Sequence, residues 1–206
     1  MLNVGIVDYG CGNIRSVSQA FEYLGYQVGL IHSEKNNADK YSHLILPGVG
    51  AFSEASENLV RRGLKKMLLT EIAKGKPVLG ICVGMQLLFD EGFEFGRHQG
   101  LGAITGSVRH LNDFSPSAQT PKTGWAPIHF REETPFFGGL DIEESFYFNH
   151  SYACLPEDPN AVSAYCVGDN WPSAIIKQNV WGIQAHPEKS QKAGLSFLGQ
   201  FLRRSS

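Results

Sequence analysis

The chain has 206 residues, with 18 Lys or Arg against 20 Asp or Glu, a formal net charge of −2. That near-balance excludes a nucleic-acid or membrane-surface binder working by bulk electrostatics, and 42% hydrophobic against 18% charged residues excludes a disordered chain. One domain spanning 1–206 is expected, long enough to fold without disulfide or metal staples. Glycine is in excess: 23 in 206 residues is about 11% against a usual value of roughly 7%, which calls for tight turns or close backbone approaches.

The first half alternates short apolar runs with helical periods, as βαβ units do. Asn3–Asp8 reads as a buried strand. After Tyr9-Gly10-Cys11-Gly12, the spacing of Ile14, Val17, Phe21 and Leu24 predicts a helix that Gly25 stops. Gln27–Ile31 and His43–Leu46 read as strands, and a Pro-Gly-Val-Gly turn occupies 47–50. Ser53 to Lys74 is helical, with a break near Gly63. Pro77–Ile81 is a fourth strand, leading through Cys82 into a helix that runs to Phe89.

Segments rich in β-branched and aromatic residues then recur at Ala103–Leu111, Trp125–Phe130, Ser145–His150, Val162–Val167, Ala174–Lys177 and Val180–Gln184. They predict an antiparallel or mixed extension of the sheet, so the fold class is α/β. Asn112–Lys122 reads as a loop. Ser190 caps a last helix with apolar Ala193, Phe197, Leu198, Phe201 and Leu202, and Arg203 and Arg204 suit its negative C-terminal end.

The four cysteines, Cys11, Cys82, Cys154 and Cys166, form no CxxC pair and do not read as a disulfide scaffold. The N-terminal stretch lacks a basic n-region, so no signal peptide is expected. The most apolar uncharged segment, Pro77–Phe89, falls short of the ~18 residues a spanning helix needs. A soluble, reduced, cytoplasmic protein is expected.

Gly80-Ile81-Cys82-Val83-Gly84 closes a strand and opens a helix, the pattern of a nucleophile elbow. Such a turn holds its side chain in a strained, exposed position. The free N–H groups of the following helix then lower a thiol pKa. The bland alternative for Cys82 is a buried structural cysteine, the reading kept for the other three.

A thiolate nucleophile needs a histidine to take and return its proton, and often a carboxylate to orient that histidine. In Gln184-Ala185-His186-Pro187-Glu188-Lys189-Ser190, the proline lets His186 and Glu188 face one space, although a His-Pro segment also reads as a plain surface turn. The rival, His150 in Phe148-Asn149-His150-Ser151-Tyr152, lacks a nearby carboxylate. Pro47-Gly48-Val49-Gly50 is a turn whose glycines allow a peptide N–H to reach an oxyanion, with the Val83 N–H as second donor. No His/Cys/Asp/Glu cluster has zinc-ligand spacing. Gly10-x-Gly12 has Arg15 where a dinucleotide fingerprint needs its third glycine, so no metal or cofactor is expected.

The order of PGVG, then Gly80-Ile81-Cys82-Val83-Gly84-Met85-Gln86, then His186-Pro187-Glu188-Lys189-Ser190 about 100 residues later resembles the class I (triad) glutamine amidotransferases. Supporting segments are Asp8–Val17, Pro47–Phe52, Gly124-Trp125 and Tyr147–Tyr152, so the likeness spans nearly the whole chain. It is closest to the branch that serves histidine biosynthesis. The resemblance implies a mixed, mainly parallel central sheet flanked by helices, with an antiparallel extension in the second half. It implies that Cys82 attacks glutamine, His186 handles the proton and Glu188 orients His186. It further implies Val49, or Gly50 beside it, and Val83 as oxyanion donors, with Gln86, Ser151 and Tyr152 holding the substrate glutamine.

By the same resemblance, the ammonia passes to a (β/α)₈-barrel cyclase in a heterodimer. That partner makes imidazole glycerol phosphate and an aminoimidazole carboxamide ribotide. Asn13, Trp125, Tyr147 and Lys189 match positions at that interface; Trp125 and Tyr147 also read as core aromatics and Lys189 as a solvated charge. The chain departs from the branch at Lys122-Thr123-Gly124-Trp125-Ala126, usually His-Met-Gly-Trp-Asn, and at Ala185, usually Phe. Some relatives feed ammonia to another synthase, in surface-polysaccharide pathways. Two other readings stay open: a cysteine hydrolase or peptidase of the same elbow architecture, and a degenerate amidotransferase kept as a binding scaffold.

Overall fold

The computed structural model describes residues 3–36, 38–131, 143–169 and 171–203. In chain order the elements are β1 (Asn3–Val7), α1 (Ile14–Tyr23), β2 (Gln27–Ile31), β3 (His43–Leu46), α2 (Phe52–Arg61), α3 (Leu64–Ala73), β4 (Val78–Ile81) and α4 (Val83–Leu87). They continue with β5 (Phe89–Gly92), β6 (His98–Gln99), β7 (Ile104–His110), α5 (Leu111–Phe114), β8 (Lys122–Phe130), β9 (Glu143–His150) and β10 (Tyr152–Pro156). The last are β11 (Val162–Cys166), β12 (Pro172–Lys177), β13 (Val180–Ile183) and α6 (Gln191–Leu202).

Among the described residues, nine strands form one sheet in the order β2-β1-β3-β4-β13-β12-β11-β8-β9. Pairings from β2 to β13 are parallel and those from β13 to β9 antiparallel, which is the mixed sheet expected. Two features differ from the sequence reading. Ala103–Leu111 does not extend the large sheet; its strand β7 joins β5, β6 and β10 in a separate four-stranded sheet. The helix after Cys82 ends at Leu87, and Phe89 already belongs to β5. The stretch Gln86-Leu87-Leu88-Phe89 is buried throughout, so hydrophobic period cannot mark where helix gives way to strand.

The helix boundaries follow local chemistry. The Asn13 Oδ1 accepts from the Ser16 N–H at 3.3 Å and starts α1, and Gly63, at φ 71°, breaks the 52–73 segment into α2 and α3 where expected. Asn112–Lys122, read as a loop, is entered by the short α5. Ser190 precedes α6 but does not cap it with its side chain. Arg203 closes α6, and Arg204 lies outside the described residues. Phe197 and Phe201 of α6 pack edge-on against Trp181 of β13, 6.1 and 5.6 Å between ring centres, fastening that helix over the middle of the sheet.

Because β1, β3, β4 and β13 run parallel, their carboxyl ends emerge along one edge. The segments leaving that edge are the Asp8–Gly12 loop, the Pro47–Gly50 turn, Cys82 and the 184–190 turn. α4 lies flush on these strands: a Cβ on Gly84 would overlap the Leu46 carbonyl oxygen, and one on Gly80 would stand 2.6 Å from the Gly84 oxygen. No helix of the described residues is long and apolar enough to cross a membrane.

The Gly84→Ala variant is expected to lose about 3 kcal/mol or more, since backbone and not a flexible side chain must move. Gly75→Ala, at φ 88° with open space around it, should lose only about 1–2 kcal/mol. Urea denaturation of both variants measures the contrast.

Candidate active site

Cys82 sits between β4 and α4 at φ 54°, ψ −113°, a left-handed conformation that costs a non-glycine residue of order 1–3 kcal/mol. The turn is held on both sides: the Cys82 N–H donates to the Ile183 oxygen at 2.8 Å, and the Cys82 carbonyl accepts from the Gln86 N–H at 3.2 Å. The strained strand-to-helix turn expected from the flanking glycines is therefore present, but its side chain is buried, 3% exposed, where an exposed one is expected. The helix behind it has five residues, so its macrodipole is small and individual N–H groups must do the work near the sulfur.

His186 and Glu188 leave β13 through the Pro187 turn. The His186 Nδ1 lies 2.9 Å from the Glu188 Oε1, with side chains 3% and 2% exposed. Nδ1 therefore carries the proton it gives to the carboxylate, and Nε2 is left for Cys82. Burial by itself lowers the imidazole pKa; the hydrogen bonds to Cys82 and Glu188 and their negative charge outweigh it and raise the value to about 9. The His186 N–H also donates to the Tyr147 oxygen at 2.8 Å. The Ser190 hydroxyl bridges the loop to β9, donating to the His186 oxygen at 2.6 Å and accepting from the Tyr147 N–H at 3.0 Å. That bridge occupies the side chain expected to cap α6.

His150, the rival base, has the opposite environment. Its Nδ1 donates to the Tyr152 oxygen at 2.9 Å, its Nε2 is buried without a partner, and burial lowers its pKa to about 4. It is neutral near pH 7 and no carboxylate orients it.

The pocket at the carboxyl edge has a volume of about 230 Å³ and is lined by Cys82, His186, Val49, Gly50, Val83, Gln86, Ser151 and Tyr152. The structure thus brings together every sequence-predicted catalytic, oxyanion and substrate residue except Glu188, which stands behind His186. Gly48 presses the 47–50 turn onto the start of α4, where a Cβ would meet the Gly84 nitrogen at 2.6 Å and the Val83 Cβ at 2.8 Å. The buried Tyr9 hydroxyl donates to the Pro47 oxygen at 2.6 Å and fixes the turn from below.

Of the residues predicted for the partner face, Trp125 and Tyr147 stand opposite each other on β8 and β9, ring centres 6.1 Å apart, and the Lys189 Nζ lies 5.6 Å over the Tyr147 ring. Trp125 is 51% exposed, so it is no core aromatic. Asn13 caps α1, which packs on the 187–189 turn that carries Lys189. The departure at Lys122 has a local explanation: its Nζ pairs with Asp169 at 2.8 Å and lies 5.9 Å over Trp171.

Sequence reasoning does not identify Glu94, Asn149 and Lys189 as pocket residues. Glu94 follows no motif; its Oε2 accepts from the Phe52 N–H at 2.7 Å, supplying the cap that Ala51 cannot give α2, and the same carboxylate lines the pocket. Gln184 also escapes it, though strand alternation places that residue on the His186 side. All four cysteines are free, and among the described residues no group of three or more His, Cys, Asp or Glu could hold a metal ion.

A left-handed cysteine elbow backed by a buried histidine–carboxylate pair is an arrangement capable of thiol-dependent acyl transfer. The sequence matches Glutamine amidotransferase class-I over residues 5–204, and the chain belongs to that family. It is 42% identical over 200 residues to the imidazole glycerol phosphate synthase subunit HisH of Chlorobium luteolum, covering 96% of this chain and 98% of the relative. It is 41% identical over 201 residues to the subunit of the same name from Aquifex aeolicus, covering 97% and 96%. Among solved structures, a glutamine amidotransferase superposes with a TM-score of 0.77 at 19% identity, over 97% of this chain and 96% of the other. The PurLQS structure from Thermotoga maritima gives 0.74 at 19% identity, over 98% and 97%. These two establish the shared fold.

The opposite shifts of the two buried histidines set a pH dependence. His186 has its native pKa above the unfolded value of 6.5, so its stabilisation is full below about pH 6.5 and is lost as pH rises toward about 9. His150 has its native pKa below 6.5, so its contribution is full above that value and is lost as pH falls toward about 4. Urea midpoints measured across this range are expected to decline on both sides. Glu188→Gln should weaken the alkaline decline and His150→Asn the acid one.

Proposed function

We propose that this chain is a glutaminase that hydrolyses glutamine to glutamate and ammonia through Cys82, His186 and Glu188. The observation that carries the reading is the His186–Glu188 pair buried against a cysteine elbow at the floor of an amino-acid-sized pocket. The Cys82 thiolate attacks the side-chain carboxamide carbon, and the N–H groups of Val83 and of Val49, or Gly50 beside it, receive the oxyanion. His186, protonated at Nε2 and held by Glu188, gives its proton to the departing nitrogen as the C–N bond breaks. A glutamyl thioester remains on Cys82. Water then attacks it with His186 as base, the C–S bond breaks, and glutamate leaves. The Glu94 carboxylate suits the substrate's ammonium group, and Gln86 with the backbone of Ser151 and Tyr152 forms the remaining wall.

The ammonia is delivered, in this reading, to a (β/α)₈-barrel cyclase that forms imidazole glycerol phosphate and an aminoimidazole carboxamide ribotide. The names of the relatives support this branch. So does the half-exposed Trp125 stacked beside Tyr147 and Lys189 next to the pocket, since exposed tryptophan is typical of interface anchors. Four free thiols suit the reducing cytoplasm, where we place the complex.

Glutamate release is measured for the chain alone, then with the cyclase and its ribotide substrate; a large rise with the partner is expected. No rise, with Cys82 still labelled by a glutamine-analogue affinity reagent, would keep the glutaminase and assign it to a different synthase. Cys82→Ala should lower glutamine hydrolysis by at least about 10⁴-fold while leaving partner binding intact. Trp125→Ala should weaken cyclase binding about tenfold or more, yet change unfolding free energy by less than about 0.5 kcal/mol.

A further inference from the structure

Behind the pocket, three buried groups form a chain of hydrogen bonds. The Gln86 Nε2 donates to the Tyr152 carbonyl oxygen at 3.0 Å and to the Gln184 Oε1 at 3.2 Å, and the Gln184 Nε2 lies 3.7 Å from the Cys82 sulfur. Gln184 is wholly buried, and Gln86 and Cys82 are 3% exposed. Which end of a side-chain amide carries its N–H groups is ordinarily ambiguous, but here the chain fixes it. A backbone carbonyl can only accept, so Gln86 must present its NH₂ to Tyr152. That NH₂ also faces Gln184, which must answer with its oxygen. The Gln184 NH₂ is then left facing the sulfur. Turning either amide over would set donor against donor or oxygen against oxygen between buried side chains, at a cost of about 1–3 kcal/mol per unmet group.

We propose that Gln184 is a positioning residue for the Cys82 nucleophile, its amide N–H aimed at the sulfur and its orientation dictated through Gln86 by the Tyr152 carbonyl. A donor directed at sulfur favours the thiolate over the thiol and fixes where its lone pairs point. Unlike His186 it is no mobile proton carrier, because an amide neither gives up nor takes a proton in this range. The ionisable groups acting on the same sulfur are His186, in the same segment after β13, Tyr9 after β1 and Cys154 on β10. Gln184 is the neutral member of that set. Gln86, part of the glutamine wall, gains a second duty as the orienter of Gln184. Tyr152 likewise contributes a carbonyl that accepts from both Gln86 and His150.

The inference rests on the glutaminase reading for its consequence in turnover but not for its direct readout. That readout is the pH dependence of alkylation of Cys82 by iodoacetamide, corrected with a Cys82→Ala control for the three other thiols. Gln184→Met keeps the volume and removes the donor. Its alkylation midpoint should move up by about one pH unit, with kcat for glutamine about tenfold lower and KM changed less. Gln184→Glu, which still offers an oxygen to Gln86, covers the case in which the Met variant does not fold, and its midpoint should move further up. Gln86→Met should show a smaller upward shift together with a raised KM. A folded Gln184 variant with an unmoved alkylation midpoint overturns the proposal. A wild-type chain that never turns over glutamine, with the midpoint shift present in the variants, overturns the glutaminase reading and leaves Gln184 in place.

Discussion

The left-handed backbone at Cys82 is the constraint around which the rest is arranged. A cysteine gains nothing from φ 54° by itself, and the conformation persists only because its neighbours leave no alternative. The Cys82 N–H is tied to β13 and its carbonyl to the first turn of α4. α4 in turn lies so close to β3 that residue 84 has no room for a side chain. The same close approach lets Gly48 settle on the start of α4 and brings the 47–50 turn to the sulfur's side. One steric arrangement therefore sets the Cys82 backbone, the 47–50 turn and the floor of the pocket together.

Electrostatics then separates two histidines that the sequence leaves as rivals. His186 and His150 are both buried, and burial alone would make each neutral. Glu188 and Cys82 reverse that outcome for His186, while the nearest acceptor to His150 is a carbonyl that takes one proton and carries no charge. The difference lies in a carboxylate two residues away in the chain, which is why the amino-acid sequence already ranks His186 first.

What is legible in the sequence has local causes. The parallel strands announce themselves as apolar runs ended by glycine or proline turns, Gly63 breaks its helix through its own backbone, and His186-Pro187-Glu188 assembles within three residues. What is not legible depends on contacts through space. β10 and β5 belong to a small sheet that no periodic signal distinguishes from the large one. Ser190 sits at a capping position, yet its hydroxyl is drawn to β9 instead. Glu94 and Gln184 matter for what lies opposite them, α2 in one case and the sulfur in the other, and neither partner is near in sequence.

The bridge from Ser190 and His186 to Tyr147 has a further consequence for the sheet. Among the described residues, β9 is an outer strand of the nine, paired on one side with β8 alone. The N–H and carbonyl of Tyr147 turn away from β8, at a position where Trp125 and Tyr147 face each other without exchanging backbone hydrogen bonds. Left open, such a rim would be a template for another chain's strand. The 184–190 turn, which carries His186 and Ser190, closes part of it. Displacing that turn would therefore carry His186 away from its place beside Glu188 and Tyr147 and uncover that part of the rim in the same event.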